Sequence, residues 1–138
     1  MDARNPLDLE AALADVSAPV KLVFFTQTFG CDSCLPARQA LDRLASLSDQ
    51  ITVEEFNLVL DKAEATAYGI QRAPAIAVVG GSDTGIRFYG VPDGYELVSL
   101  VESILLVASG VSGLSDESHA VVAAVTEPVD IQVFVTPT

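Results

Sequence analysis

Residues 7–16 place Leu7, Leu9, Ala12, Leu13 and Val16 at helical spacing, and Asn5-Pro6 supplies a cap and a first-turn proline. Ser17-Ala18-Pro19 ends this segment. Residues 20–26 are almost continuously apolar, which predicts a strand buried on both faces. The period then returns to helical, with Leu35, Ala37, Ala40, Leu41, Leu44 and Leu47 on one side and Pro36 close enough to the start to be tolerated. A second strand is expected over 51–58. Asp61 opens a short helix through Tyr68, and Gly69 stops it. Residues 73–79 read as a proline-initiated strand, Gly80-Gly81-Ser82-Asp83 as a turn, and 84–89 as the returning hairpin strand. Val91-Pro92-Asp93-Gly94 turns the chain into a helix over 95–108, with Leu97, Val98, Val101, Ile104, Leu105 and Ala108 facing inward.

The order α-β-α-β-α-β-β-α fixes much of the topology. Two strands joined by a helix are parallel, and the last two strands form a hairpin. The expectation is an α/β fold, a mixed four-stranded sheet flanked by helices. Beyond it the pattern continues. A Gly/Ser-rich link from 110, a helix over 118–126 and a strand over 128–135 extend the fold by a C-terminal helix and strand. Phe24-Phe25-Thr26-Gln27-Thr28 and Phe134-Val135-Thr136-Pro137-Thr138 each follow a Pro-Val step, and their phenylalanines lie 110 residues apart. This similarity reads as an internal repeat cut short. The domain plan is therefore 1–109 as the folded unit, 110–127 as linker and short helix, and 128–138 as the first strand of a second unit. An unpaired apolar strand is a liability, so that strand is expected to add to the sheet edge or to join two chains in a homodimer.

Composition narrows the function classes. The chain has 138 residues, half of them apolar, enough for one domain with a substantial core. A net charge of −12, with only Lys21 and Lys62 as lysines, argues against nucleic acid and anionic membrane surfaces as partners. The N-terminal residues show no basic stretch followed by an apolar run, so no secretory signal is expected. No stretch is long and unbroken enough to span a membrane.

Both cysteines fall in one tetrapeptide, Cys31-Asp32-Ser33-Cys34, at a strand-to-helix junction. That spacing is the pattern of a redox dithiol in a reducing compartment, and the cytoplasm is expected. A thiol at a helix N-terminus faces unpaired N–H groups and the positive end of the dipole, which favour the reactive thiolate. Cys31 would be exposed at the helix start and Cys34 shielded a turn further in. Asp32 opposes the thiolate by like charge, which shifts the expectation toward a reducing centre. Ser33 caps the helix or bonds a cysteine sulfur. Arg38, one turn beyond Cys34, adds positive potential or is simply solvated.

Other positions carry alternatives. From spacing alone, Pro74 is a cis residue presenting the Ala73 backbone to an extended substrate, or an ordinary trans proline opening a strand. Arg72 grips an acidic peptide or glutathione carboxylate, or is a surface residue. Glu54 and Glu55 point to opposite faces of a strand and cannot act together. His119 follows the Gly/Ser link, is expected to be exposed and is far in sequence from the dithiol, so a Cys-His pair is not expected. Two thiolates are half of a zinc or iron–sulfur set, so no resident cofactor or metal is expected.

Phe25-Thr26-Gln27-Thr28-Phe29-Gly30-Cys31-Asp32-Ser33-Cys34, Ala73-Pro74, and Gly85-Ile86-Arg87-Phe88-Tyr89-Gly90-Val91-Pro92 resemble the N-terminal half of the two-unit, glutaredoxin-like protein disulfide oxidoreductases. The resemblance covers about residues 5–115, and 128–138 resembles the opening strand of the second unit. It implies a thioredoxin fold, thiol–disulfide exchange, a cis Pro74 beside Cys31, Cys31 as attacking thiol and Cys34 as resolving thiol. Substrates would be protein disulfides, with a thioredoxin-reductase-like flavoprotein or a small thiol as reductant. The rival readings are a docking or relay module of a larger redox protein, and a dimeric iron–sulfur carrier. The second unit's CxxC is missing here, and Asp-Ser between the cysteines is an unusual, acidic pair.

Overall fold

The computed structural model describes residues 6–136; Asn5, named above as a cap, lies outside the described residues. The elements are α1 (Pro6–Leu13), β1 (Val20–Thr26), α2 (Cys34–Ser46), β2 (Ile51–Asn57), α3 (Lys62–Tyr68), β3 (Ala75–Val79), β4 (Asp83–Tyr89), α4 (Tyr95–Ser109) and α5 (Asp116–Ala123). The sheet order is β2-β1-β3-β4. β1 and β2 are parallel, with Val20 opposite Ile51 and Thr26 opposite Asn57. β3 is antiparallel to β1 and to β4, as the hairpin pattern requires.

Alternation along the central strands divides the core in two. Val20, Leu22 and Phe24 of β1, with Ile76 and Val78 of β3, pack against Leu9 and Leu13 of α1, Leu41 and Leu44 of α2, and Leu100 and Ile104 of α4. Val23 and Phe25, with Ala75, Ala77 and Val79, face Ala65 of α3 and Ile70. The continuous apolar run of β1 is thus explained by helices on both faces of the sheet. Phe25 also meets the rings of Phe56 and Tyr68, with centroids 5.6 and 5.9 Å away. Gly69 ends α3 in the left-handed conformation at φ 67°, where a side chain would be strained. At Gly80 a Cβ would come within 2.6 Å of Val107 Cγ1, so the hairpin approaches α4 closely only because that position has no side chain.

The edges of the sheet carry ion pairs. Lys21 meets Glu54 at 2.6 Å, and Arg38 of α2 reaches over to Glu55 at 2.8 Å. The two adjacent glutamates of β2 therefore have different partners on opposite faces, as strand geometry demands. On the other edge Arg87 holds Asp83 at 2.6 Å and donates from Nε to the Tyr68 carbonyl at 3.1 Å, tying β4 to the end of α3.

Two expectations about the C-terminal part change. The last helix begins at Asp116 rather than Ser118, because Ser115 accepts the Ser118 N–H at 3.1 Å and caps it, with Asp116 and Glu117 in the first turn. The expected strand over 128–135 does not form; residues 128–136 are exposed and join neither edge of the sheet. A strand is stabilised by a paired neighbour and a buried face, and here it has neither.

Candidate active site

The dithiol sits where β1 hands the chain to α2. Gly30 adopts φ 70°, a conformation open to glycine, and turns the chain out of the strand immediately before Cys31. The Cys34 N–H then points to the Cys31 carbonyl at 3.4 Å, and the Ala37 N–H donates to the Ser33 carbonyl at 3.1 Å, starting the helix. Cys31 and Cys34 are joined in a disulfide with their Cα atoms 5.5 Å apart. Cys31 is half-buried, whereas Cys34 is 5% exposed. One sulfur can be approached from outside, and the other is covered by the body of the fold.

Ser33 occupies the cap position of α2, but its hydroxyl makes no capping hydrogen bond. Its backbone is already close to helical, at φ −89° and ψ −6°, so the side chain does not reach back over the first turn. Arg38 is engaged: Nε bonds Asp42 at 2.8 Å and Nη1 bonds Glu55 at 2.8 Å. Its charge is offset by two carboxylates and is not free to raise the potential at the sulfurs. Asp32 is exposed. Leu35, expected on the apolar face of the helix, is instead 66% exposed in the turn that follows the disulfide.

Ala73-Pro74 comes to the same end of the sheet. Ala75 pairs with Phe25, near the end of β1, so the two residues before it lie beside the start of the Cys31 loop. The Ala73–Pro74 peptide bond is cis, and the buried Pro74 accepts the Gly90 N–H at 3.0 Å. Arg72 lies over the ring of Tyr89 at 4.4 Å from its centroid, which fixes an exposed guanidinium next to this segment. The structure thus gathers Cys31, Cys34, Asp32, Ser33, Arg72, Ala73 and Pro74 at one end of the sheet. It does not bring His119 there; that side chain meets Ser112 at 3.0 Å in the C-terminal segment. Among the described residues, no group of three or more His, Cys, Asp or Glu side chains is placed to hold a metal ion.

Two features of this end were not read from the sequence. Tyr89 supports Arg72, a pairing between segments that only the β3–β4 register brings together. A cleft lined by Gln27, Thr28, Phe29, Asn57, Val59 and Leu60 opens beside the Cys31 loop. A signal for it existed in Asn57, a turn-forming residue at a strand end, with Val59 and Leu60 soon after it as apolar residues that stay exposed.

Farther away, the Arg87 guanidinium, helped by the Gly85 N–H, holds the Asp83 carboxyl down to about 2 against burial, which raises it. Among the described residues, no helix is long and apolar enough to cross a membrane.

No family model matches the chain. It is 32% identical over 83 residues to a probable thioredoxin of Methanothermobacter marburgensis, covering 59% of this chain and 92% of that protein. It is 42% identical over 69 residues to an NADH dehydrogenase of Ferdinandcohnia aciditolerans, but there it spans 49% of this chain and 11% of the longer protein. Among solved structures, the N-terminal N/C domain of the alkylhydroperoxide reductase AhpF of Enterococcus faecalis superposes with a TM-score of 0.79 at 27% identity, covering 88% of this chain and 59% of that one. A protein disulfide oxidoreductase of Aeropyrum pernix has the same fold, with a TM-score of 0.76 at 23% identity over 86% of this chain and 53% of that one. With its mixed sheet, its CxxC disulfide at the head of α2 and a relative matched over nearly its whole length, the chain belongs to the thioredoxin family.

Proposed function

We propose that Cys31 is the attacking thiol and Cys34 the resolving thiol in the reduction of protein disulfides. The observation that carries this is the unequal burial of the pair: Cys34 is covered and Cys31 is approachable. In the reduced chain the Cys31 thiolate attacks one sulfur of the partner's disulfide. A Cys31–partner disulfide forms, and the other partner sulfur leaves as a thiolate that takes up a proton. Cys34, losing its proton, then attacks Cys31 Sγ. The mixed bond breaks, the second partner sulfur leaves as thiol, and the Cys31–Cys34 disulfide remains. The partner gains two electrons and two protons, and the dithiol loses them.

The helix N-terminus favours thiolate at Cys31, and Asp32 works against it, which supports a reducing rather than strongly oxidising centre. Ala73 and Pro74 supply the backbone edge for an extended substrate, and Arg72 an acidic contact. A flavoprotein dithiol or a small thiol regenerates the reduced form, in a reducing compartment such as the cytoplasm. The likeness to part of a peroxide-reductase subunit supports a second reading, a relay module that passes electrons within a longer redox protein. Residues 1–109 are then the redox unit, 110–127 a linker with α5, and 128–138 the segment that would open a second unit.

Turnover of insulin disulfides with a small thiol as reductant tests the chemistry. Cys31→Ser is expected to reduce the rate to the uncatalysed background, and Cys34→Ser to accumulate a partner adduct on Cys31 that is visible by mass spectrometry. Equal activity in the wild type and Cys31→Ser would sink the reading.

A further inference from the structure

Asp93-Gly94 is the single Asp-Gly step in the sequence. Both residues are exposed, in the turn that leads from β4 into α4. The turn is held at both ends. Before it, Pro92 is buried and the Gly90 N–H donates to the Pro74 carbonyl at 3.0 Å. After it, the Glu96 N–H donates to the Asp93 carbonyl at 3.1 Å and starts α4.

Inside this frame the Asp93 carboxyl folds back onto the next peptide unit, where Oδ1 accepts the Gly94 N–H at 2.7 Å. Asp83 and Asp61 reach past their neighbours instead. Asp83 Oδ1 takes the amide of Gly85 at 3.0 Å, and Asp61 Oδ2 that of Asn57 at 2.7 Å. The contrast has a chemical consequence, because Oδ1 is one bond from Cγ. The Gly94 nitrogen is held beside the carbon that a main-chain nitrogen attacks when a five-membered succinimide closes. Holding reacting atoms close together removes much of the entropic part of a barrier.

Residue 94 contributes as well. A side chain there would shield one side of the nitrogen, and glycine leaves it open. Among the described residues, and apart from the chain neighbours, no heavy atom lies within 4 Å of where a Cβ would stand. Gly94 has φ 54° and ψ −125°, a backbone that glycine adopts without strain. The residue that the turn requires is thus also the one that leaves the nitrogen free to react.

We propose that Asp93 is a site of spontaneous isomerisation through a succinimide. The Gly94 nitrogen gives up its proton and bonds to Asp93 Cγ. The Cγ–O bond of the protonated carboxyl breaks, and one water leaves. Water then reopens the ring. Attack at Cγ restores aspartate. Attack at the Asp93 main-chain carbonyl carbon gives isoaspartate, in which the chain runs through Cγ and the former main-chain carbonyl becomes a free carboxylate. The water lost is regained, and nothing is oxidised or reduced. The product has one more methylene in its main chain at the head of α4. The oxygen that received the Glu96 N–H then belongs to a carboxylate, which a methyltransferase of the isoaspartyl class can esterify with the methyl group of a sulfonium donor. The step involves neither Cys31 nor Cys34.

The test ages the full, folded chain in warm, mildly acidic buffer. Isoaspartate is measured by enzymatic transfer of a labelled methyl group from S-adenosylmethionine. It is mapped by a protease that cuts before aspartate and spares isoaspartate, so modification appears as lost cleavage at residue 93. Label is expected to accumulate at residue 93 ahead of the other aspartates, Asp32 and Asp83 included. Asp93→Glu, which would need a six-membered ring, should lose the label while keeping the charge. Asp93→Asn, which closes the same ring with ammonia as leaving group, should raise it. A chain unfolded in urea should label at residue 93 severalfold more slowly than the folded chain, because only the folded turn holds the carboxyl on the amide. No label at residue 93, undiminished label in Asp93→Glu, an Asp93→Asn chain that labels no faster, or an unfolded chain that labels as fast as the folded one each overturns the proposal.

Discussion

β1 and residues 128–136 have nearly the same sequence character and opposite fates. Each follows a Pro-Val step, and Phe24-Phe25-Thr26 matches Phe134-Val135-Thr136 in order. Phe24 and Phe25 are fully buried, whereas Phe134 is 89% and Val135 81% exposed. Local preference for extended structure is therefore equal, and neighbours make the difference. β1 lies between β2 and β3 with helices on both faces; among the described residues the tail has no paired strand and no helix over it. The sheet's edges also do not invite it, since Glu54, Glu55, Asp83 and Arg87 are committed to ion pairs along them.

The largest expected effect separates the two phenylalanines directly. Phe24→Ala should lower unfolding stability by about 3–5 kcal/mol, because it leaves a cavity between α2, α4 and the sheet. Phe134→Ala should stay within about 0.5 kcal/mol in the same urea titration. Similar losses at both sites would mean that the tail is packed in solution, and the contrast would collapse.

A smaller effect concerns the charged edge. Asp83 is more acidic folded, at about 2, than its ordinary 3.8. Its pair with Arg87 therefore stabilises above about pH 4, and that contribution fades as the pH falls through about 2. The pair is partly exposed, so Asp83→Asn is expected to cost at most about 1 kcal/mol at pH 7. The gap between variant and wild type should narrow from about pH 4 and close only below about pH 2. A gap that persists there would assign the loss to something other than the ion pair. Among its described residues the tail has no such pair, so no acid-dependent step is expected from it.

The finest comparison is by amide hydrogen exchange. Amides of β1 should exchange only with global unfolding, and those of 129–135 at near-unprotected rates. Protection in the tail that rises with protein concentration would instead reveal pairing between chains.

The active end of the molecule was legible to a similar degree as the fold. Cys31, Cys34 and the strand-to-helix junction follow from spacing, and the helical period after Cys34 correctly gives Ala37, Leu41 and Leu44 as buried. Leu35 is exposed because it lies about 100° round the helix from Cys34, off the stripe that buries Cys34, Ala37, Leu41 and Leu44. Arg38 looked free because Glu55 is distant in sequence; α2 packing over β2 unites them. Ser33 had the composition of a cap but not its backbone.

The sequence by itself determined the elements, the parallel and hairpin connections, and the CxxC at a helix head, because these depend on periodicity, turn residues and short spacings. Only the tertiary structure decided which of two similar apolar strands is buried, which charges are offset, that Arg72 rests on Tyr89, and that Asn57 holds a cleft open next to Cys31. Each of those depends on contacts between segments far apart in the chain, and sequence-local pattern carries no record of which distant neighbour will arrive.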